Sequence, residues 1–586
     1  MRRLVVHLFP CLLCLVLAPC LRAGPDAPPA ASPALQDYFK AGQLEPLPDG
    51  VASLYRAPWR SNPRTASAYD AAQGMGVYYK HIQANENVMK QMAAAGVKRL
   101  RLAPHHTMYI HKDWTGPTTN ELDNLKGEFK GCKAAGIRPC VVFVHIPVMG
   151  TPEEADAWLT NTWKKTILTW GAPGSDAYKL YMDKTYLGLL AVVNAAREAG
   201  FTAQGSYDIE MGQNLWWGFP ALPPFPGLKP EMLRPGGLVY EFEKALIARL
   251  RQDGYAEPTL WNSESYHYFD KLADTDNFPD TAGRAISVYS PYGGTTDKDF
   301  TGSDAWPTRA PLTFAEGTPP AVALCKPEGW MADFSRRDCM IPLLQASKMP
   351  VALTSLGVVP ADIPGAMVET TNDKGKKTKA KAESTDGWLW KSKGLTRSYA
   401  FWLNQGVPFV LIHSAYEGAD DEMSHALIPN MDTNMNGFVW QQSKPLTTLH
   451  AFAEALAGAK KLEKLDTLAF RYALAEDTVL IPASEKGGPL KASDAVALLT
   501  YQLDAKKFAV AAYVVTPTIS VPMKPVKMTL QIDKAIRGDV HTLVPVTQAK
   551  GKAEILSRAK DPASTTVSFD VRDDVTWLVF EIRQAE

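Results

Sequence analysis

The sequence predicts a (β/α)8 barrel over residues 75–462, followed by an antiparallel β-sandwich over residues 463–586. Three observations carry this. From about residue 75, short apolar runs alternate with amphipathic helical stretches, the pattern of a parallel sheet with helical crossovers. Several of those helical stretches end in Gly just before the next apolar run, an ordinary helix stop. After "LTTLHAFAEALAGAKKLEKL" the helices cease and only short strands between turn residues remain.

The elements follow in order. "MGVYY" is the first strand, "NENVMKQMAAAG" its helix and "VKRLRLAP" the second strand. "NELDNLKGEFKGCKAAG" leads into "IRPCVVFVHIP", and "DAYKLYMDKTYLGLLAVVNAAREAG" into "SYDIE", the fourth strand. "GLVYEFEKALIARLRQDG" precedes the fifth strand, "LWNSES", then come "AISVYSPY" as the sixth and "PLTFAE" as the seventh. "GLTRSYAFWLNQG" delivers the eighth, "VPFVLIHSAYEG". A long insertion around residues 317–388 holds a further strand-like "PVALTSLGVV" and the Lys-rich "DKGKKTKAKAES", which reads as a solvated, mobile loop. That run could meet a sulfated or uronic polymer, but a solvated face is the plainer expectation. The sandwich strands are "LAFRYAL", "AVALLTYQLD", "FAVAAYVVTP", "VKMTLQI", "DVHTLVPV", "TTVSFDV" and "TWLVFEI". They carry no acid, base or ligand cluster, so the sandwich reads as a supporting module.

At 586 residues the chain supports more than one hydrophobic core. Its 62 Lys and Arg balance 62 Asp and Glu, which leaves no global field to draw in nucleic acid or acidic lipid. The 15 Trp residues mostly serve packing, with a mild preference for sugar, which stacks on Trp faces. Arg2 and Arg3 precede an apolar run from Leu4 to Leu17, and small residues and prolines follow. This is a secretory signal over residues 1–23, too short for a stable span, with a lead-in over residues 24–74. Pro19 argues against a lipoprotein site at Cys20. Export, with no membrane insertion, is the expectation. Beyond the signal stand Cys132, Cys140, Cys325 and Cys339. An oxidising compartment permits the locally closing pairs Cys132–Cys140 and Cys325–Cys339; four buried thiols are the alternative.

No Gly-rich phosphate loop, dinucleotide fingerprint or nucleophile elbow occurs in a strand–helix setting. No cofactor is called for. His105, His106 and His145 come from different strand ends without a helical His pair, so sugar hydrogen bonding or core packing outranks a metal site. An exported barrel rich in Trp and Glu points to sugar hydrolysis, which needs two carboxyls across one bond. In strand order, Glu210 falls on the fourth strand and Glu316 on the seventh.

With "SYDIE", "AISVYSPYGG" and "PLTFAEG" at these places, the chain resembles the large clan of retaining (β/α)8 glycoside hydrolases. The β-xylosidase and α-iduronidase type, with its added β-sandwich, is similar in layout. The resemblance implies an acid/base after strand four, Glu210, and a nucleophile after strand seven, Glu316. It also implies that Arg101, ending strand two, supports Glu316, because a nearby cation lowers a carboxylate's pKa. An ordinary surface ion pair is the alternative for Arg101. Clan members carry Asn directly before the acid/base, whereas Ile209 precedes Glu210. A second register sets "IEMGQN" against the clan's E-I-G-N-E and puts Gln213 and Asn214 at the Asn–Glu pair. Asn cannot protonate a leaving group. On a regular strand Glu210 lies ~13 Å below Asn214, and the distance from the preceding helix end favours Glu210 at the mouth.

Glu264, beside Asn262 and His267 in "WNSESYHYF", is the reserve acid or a ligand for a sugar hydroxyl; Glu417 is a weaker contender. Substrate contacts are expected from Arg101, His145, Asn214, Trp216, Trp217, Asn262, Tyr289 and Tyr292. The expected activity is glycosidic hydrolysis by double displacement on a poly- or oligosaccharide. A non-catalytic carbohydrate-binding protein on a degenerate barrel, with Asn214 at the acid/base position, is the alternative. The sequence leaves the oligomeric state open.

Overall fold

Eight segments pair edge to edge in chain order and close on themselves in the computed structural model of this chain. The structure describes residues 35–38, 64–79, 86–102, 115–143, 173–212, 234–265, 280–288, 347–357, 360, 367–383, 385–415, 422–429, 437–483, 485, 488–515, 523–560 and 562–583. The barrel strands are β1 (Met75–Tyr79), β2 (Arg99–Leu102), β3 (Arg138–Phe143), β4 (Tyr207–Met211), β5 (Pro258–Ser265), β6 (Gly283–Val288), β7 (Val351–Gly357) and β8 (Val410–His413). All neighbours are parallel, and β8 closes the ring with Val410 opposite Met75.

Besides the short helix Ala68–Gly74 that precedes β1, the described α-helices are α1 (Glu86–Ala94), α2 (Thr119–Ala135), α3 (Asp176–Glu198), α4 (Leu238–Gln252), α5 (Gly387–Asn404) and α6 (Lys444–Glu454). Their ends follow local rules. Thr118 and Glu121 form a reciprocal capping box at the start of α2, and Gly136, at φ 67°, turns the chain out of it into β3. Leu125 and Phe129 of α2 are buried, as are Val88, Met89 and Met92 of α1. They join one core between the strands and the helices.

One expected strand moves. The seventh strand of the ring is Val351–Gly357, from the "PVALTSLGVV" run, and not "PLTFAE". Every residue of β7 is buried, as a parallel strand covered on both faces requires, and an unbroken small and apolar run supplies it. Residues 311–316 lie outside the described residues. The Lys-rich segment is also not a loop: Met367–Thr371 and Lys377–Lys381 form an antiparallel hairpin between β7 and α5.

The sandwich has two sheets. One runs Gln36–Asp37, Phe470–Leu474, Val526–Ile532, Ala563–Val571, Glu554–Lys560; the other runs Thr65–Ser67, Val496–Gln502, Lys507–Val514, Thr576–Ile582, Ile536–Val544, Ala549–Lys552. The lead-in therefore supplies an edge strand to each sheet, and Thr65–Ser67 pairs parallel to Val496–Gln502. Buried and exposed residues alternate along Val526–Ile532, the mark of a strand with one face on the core. Helix α5 joins barrel to sandwich. Lys393 Nζ lies 2.7 and 2.9 Å from the Asp573 carboxylate, and Asn404 Nδ2 donates to the Thr500 carbonyl at 2.9 Å.

Cys132 and Cys140 are free, buried thiols, so the Cys132–Cys140 pairing is not made. Cys132 packs on Met89 between helices, while Cys140 sits in the barrel interior beside Trp261 and Leu411. Burial raises both thiols above their ordinary range, and an inert, protonated side chain follows. Cys325 and Cys339 lie outside the described residues.

Candidate active site

Strand β2 reads Arg-Leu-Arg-Leu and β4 reads Tyr-Asp-Ile-Glu-Met. Side chains alternate along a strand. Leu100, Leu102, Ile209 and Met211 belong to the core under the helices, so Arg99, Arg101, Asp208 and Glu210 face the barrel axis. Barrel interiors are ordinarily layers of apolar side chains. Here two successive layers are built on opposite charges.

In the lower layer, Asp208 accepts from Arg138 Nε at 2.7 Å and Nη2 at 2.6 Å, and from Trp261 Nε1 at 3.0 Å. Arg99 pairs with the same carboxylate and lies 4.5 Å from the centre of the Phe409 ring. Burial lowers the Arg99 pKa, and Asp208 opposes that effect. In the upper layer, Glu210 accepts from Arg101 Nε at 2.8 Å and Nη2 at 3.0 Å, and from Thr354 Oγ1 of β7 at 3.0 Å. Arg101 and Glu210 are both fully buried. Burial works against the Arg101 charge, but Glu210 and Tyr78 outweigh it and raise its pKa. Arg101 stands 4.6 Å over the Tyr78 ring, whose centre is 4.9 Å from that of His413, and His425 follows at 4.6 Å. A column of charged and aromatic groups thus rises toward the C-terminal ends of β1, β2, β4, β7 and β8, the end at which barrel enzymes work.

This places the expected residues as follows. Arg101 is partnered with Glu210 rather than with a surface acid, and it is a fully buried ion pair. Glu210 has both oxygens engaged by a guanidinium, an arrangement that suits holding Arg101 better than presenting a proton to a leaving group. Asn262, expected to contact substrate, is turned away from the axis. Trp261 faces the axis, so Asn262 faces the helices, where it donates to Glu243 of α4 at 2.6 Å and is buried. Glu264 is the penultimate residue of β5, with Ile286 as its strand partner. His105, His106, His145, Asn214, Trp216, Trp217, His267, Tyr289, Tyr292, Glu316 and Glu417 lie outside the described residues.

The residues that sequence reasoning missed are Arg99, Arg138, Asp208 and Thr354. A signal for Arg99 and Asp208 was present, because "RLR" on one strand and "DIE" on another carry complementary charges with a period of two. A described cavity of about 570 Å³ opens instead at the N-terminal ends of β4–β6, beside Gln204, Arg251 and Asp280. It touches the lower layer through Thr259, which accepts from Arg138 Nη2 at 3.0 Å, but it opens at the end of the barrel opposite the one where barrel enzymes work.

No family model matches the chain, and no curated protein does. Among solved structures it is similar to a native Bacteroidetes-affiliated GH5 cellulase, at 11% identity and a TM-score of 0.35, over 66% of this chain and 92% of that one. It is also similar to the endo-β-1,4-mannanase from Thermotoga petrophila, at 8% identity and a TM-score of 0.34, over 85% and 97% of the two chains. The exo-β-1,4-mannosidase from Opitutaceae bacterium strain TAV5 gives 10% identity and a TM-score of 0.37, over 66% and 60%.

Proposed function

We propose that this protein is an exported glycoside hydrolase that cleaves a poly- or oligosaccharide with retention at the anomeric carbon. The observation that supports it is the charged Arg101, fixed at the axis beneath the ends of β2, β4 and β7 by Glu210 and Thr354. An arginine there stabilises a carboxylate placed above it. Glu210 is then a positioning residue.

The clan resemblance assigns its nucleophile by strand, and that strand has moved. Because β7 ends at Gly357, the first carboxylate after it in the sequence is Asp362, and Glu316 comes before β7; Asp362, like Glu316, lies outside the described residues. In this reading Asp362 is the nucleophile. It attacks the anomeric carbon while an acid gives its proton to the departing oxygen; the acid then takes a proton from water, which releases the sugar. The acid of this reading lies outside the described strand residues: Glu264, two residues beyond Asn262 and opposite Ile286, does not share the axis-facing register of Trp261. The test is Asp362→Asn beside Glu316→Gln on a substrate the wild type cleaves. Loss of turnover in the first alone supports the assignment; loss in the second alone returns the role to Glu316.

One observation favours a second reading, a carbohydrate-binding protein without catalysis. Strand β4 ends at Met211 with Glu210 buried within it, and Asn214, outside the described residues, comes four residues later in the sequence, where the second register sets the acid/base position. Binding of a polysaccharide without any product would support it.

A further inference from the structure

The hairpin between β7 and α5 concentrates positive charge on a neutral chain. Residues 367–381 hold Lys374, Lys376, Lys377, Lys379 and Lys381 against Glu369 and Asp373, five against two, while the whole chain sums to zero. The turn is built to last: Asn372 Oδ1 accepts from the Lys374 and Lys376 amides at 3.1 and 2.9 Å, and Gly375 takes φ 70°. In the ladder Thr371 lies opposite Lys377, Glu369 opposite Lys379 and Met367 opposite Lys381. Lys377, Lys379 and Lys381 therefore share one face at a spacing of ~6.6–6.8 Å.

Lys377 pairs with Glu369 at 3.0 Å and Lys381 with Glu422. Lys374, Lys376 and Lys379 are exposed and have no ion-pair partner among the described residues. Glu422 follows β8 and also accepts from the Gly387 amide at 3.1 Å, so the hairpin base is tied to the segment beyond another strand end. Both segments leave the C-terminal ends of barrel strands.

We infer that this hairpin is a docking face for an anionic polysaccharide, one carrying carboxylate or sulfate groups at regular intervals along the chain. The inference rests on the carbohydrate reading above and names its substrate class. Charges spaced more closely than the ~8 Å Debye length at physiological salt act on a polyanion together. A rigid ladder holds them in a line, which suits a linear polymer. Nucleic acid fits less well, because residues 367–381 include no aromatic side chain on which a base could stack.

The test uses the full chain and its Lys374→Gln/Lys376→Gln/Lys379→Gln variant, titrated with polygalacturonate, dextran sulfate, neutral dextran and single-stranded oligothymidylate. The wild type should bind one or both anionic polysaccharides and not dextran, and the tighter of the two names the anion. The variant should bind about tenfold more weakly at low salt, the difference closing near ~1 M salt. Lys→Arg replacement at the three positions should restore binding. Equal binding by the Gln variant, equal binding of dextran, or tighter binding of oligothymidylate would overturn the inference. Binding is read without turnover, so the two readings fail separately. Hydrolysis of a neutral glycan with no affinity for either polyanion sinks this inference alone. Lysine-dependent binding with no hydrolysis of any glycan sinks the hydrolase alone.

Discussion

Glu210 ties three strands together through Arg101 and Thr354, and its removal leaves a guanidinium buried without its main counter-charge. Breaking such a pair from one side costs about 3–5 kcal/mol. Glu210→Gln should lose that much in denaturant unfolding of the full chain, and a variant as stable as wild type would contradict the assigned role. The same residue separates positioning from proton transfer. An acid/base variant accumulates the glycosyl enzyme from an activated aryl glycoside, and azide rescues it with retained configuration. Glu210→Ala should not show that rescue; azide rescue of Glu210→Ala would make Glu210 the acid/base. The pairing partner of Arg101 was legible in the charge pattern of two strands, but only relative strand order and register turn a pattern into a contact.

At the scale of elements, seven barrel strands and the seven sandwich strands read from the sequence stand where periodicity and turn residues put them. The seventh barrel strand does not. "PLTFAE" ends in a carboxylate, which made it attractive chemically, whereas "VALTSLG" carries no charge and is a buried run of small and apolar residues, with Thr354 as its one bond to Glu210. The edge strands Gln36–Asp37 and Thr65–Ser67 escaped because two or three residues cannot display a period. The seam between α5 and the sandwich makes its own prediction. Burial, with help from Asp573, pushes the Asp574 carboxyl up to about 6, against Lys393 and Arg572. Between its unfolded value and that point the folded chain binds more protons than the unfolded one, so this group's contribution to stability falls as pH rises. Asp574→Asn should therefore raise the melting temperature at pH ~7.5, by at most about 3 kcal/mol of stability, and change little below pH ~4. A variant equally stabilised at both values would contradict the cause.

Across the whole molecule, the chain begins its described path in the sandwich, crosses to the barrel and returns to the sandwich. Tyr38 shows why the lead-in matters. Its ring packs against Phe470 and Tyr472 of one sheet, at centroid distances of 6.3 and 6.1 Å, and its hydroxyl accepts from the Leu498 amide of the other at 3.0 Å. Tyr38→Ala should cost about 3–5 kcal/mol, as loss of a large buried aromatic does, read as a lower unfolding midpoint; an unchanged midpoint would show that the lead-in is dispensable. Above the barrel, the central claim concerns one bond and its stereochemistry. The most direct measurement follows the full chain acting on a panel of neutral and anionic polysaccharides by proton NMR, watching the anomeric signals as the first products form. The hydrolase reading predicts that a new reducing end appears in the configuration of the bond that was cut. Products of inverted configuration, or polysaccharide bound with no product at all, would contradict it.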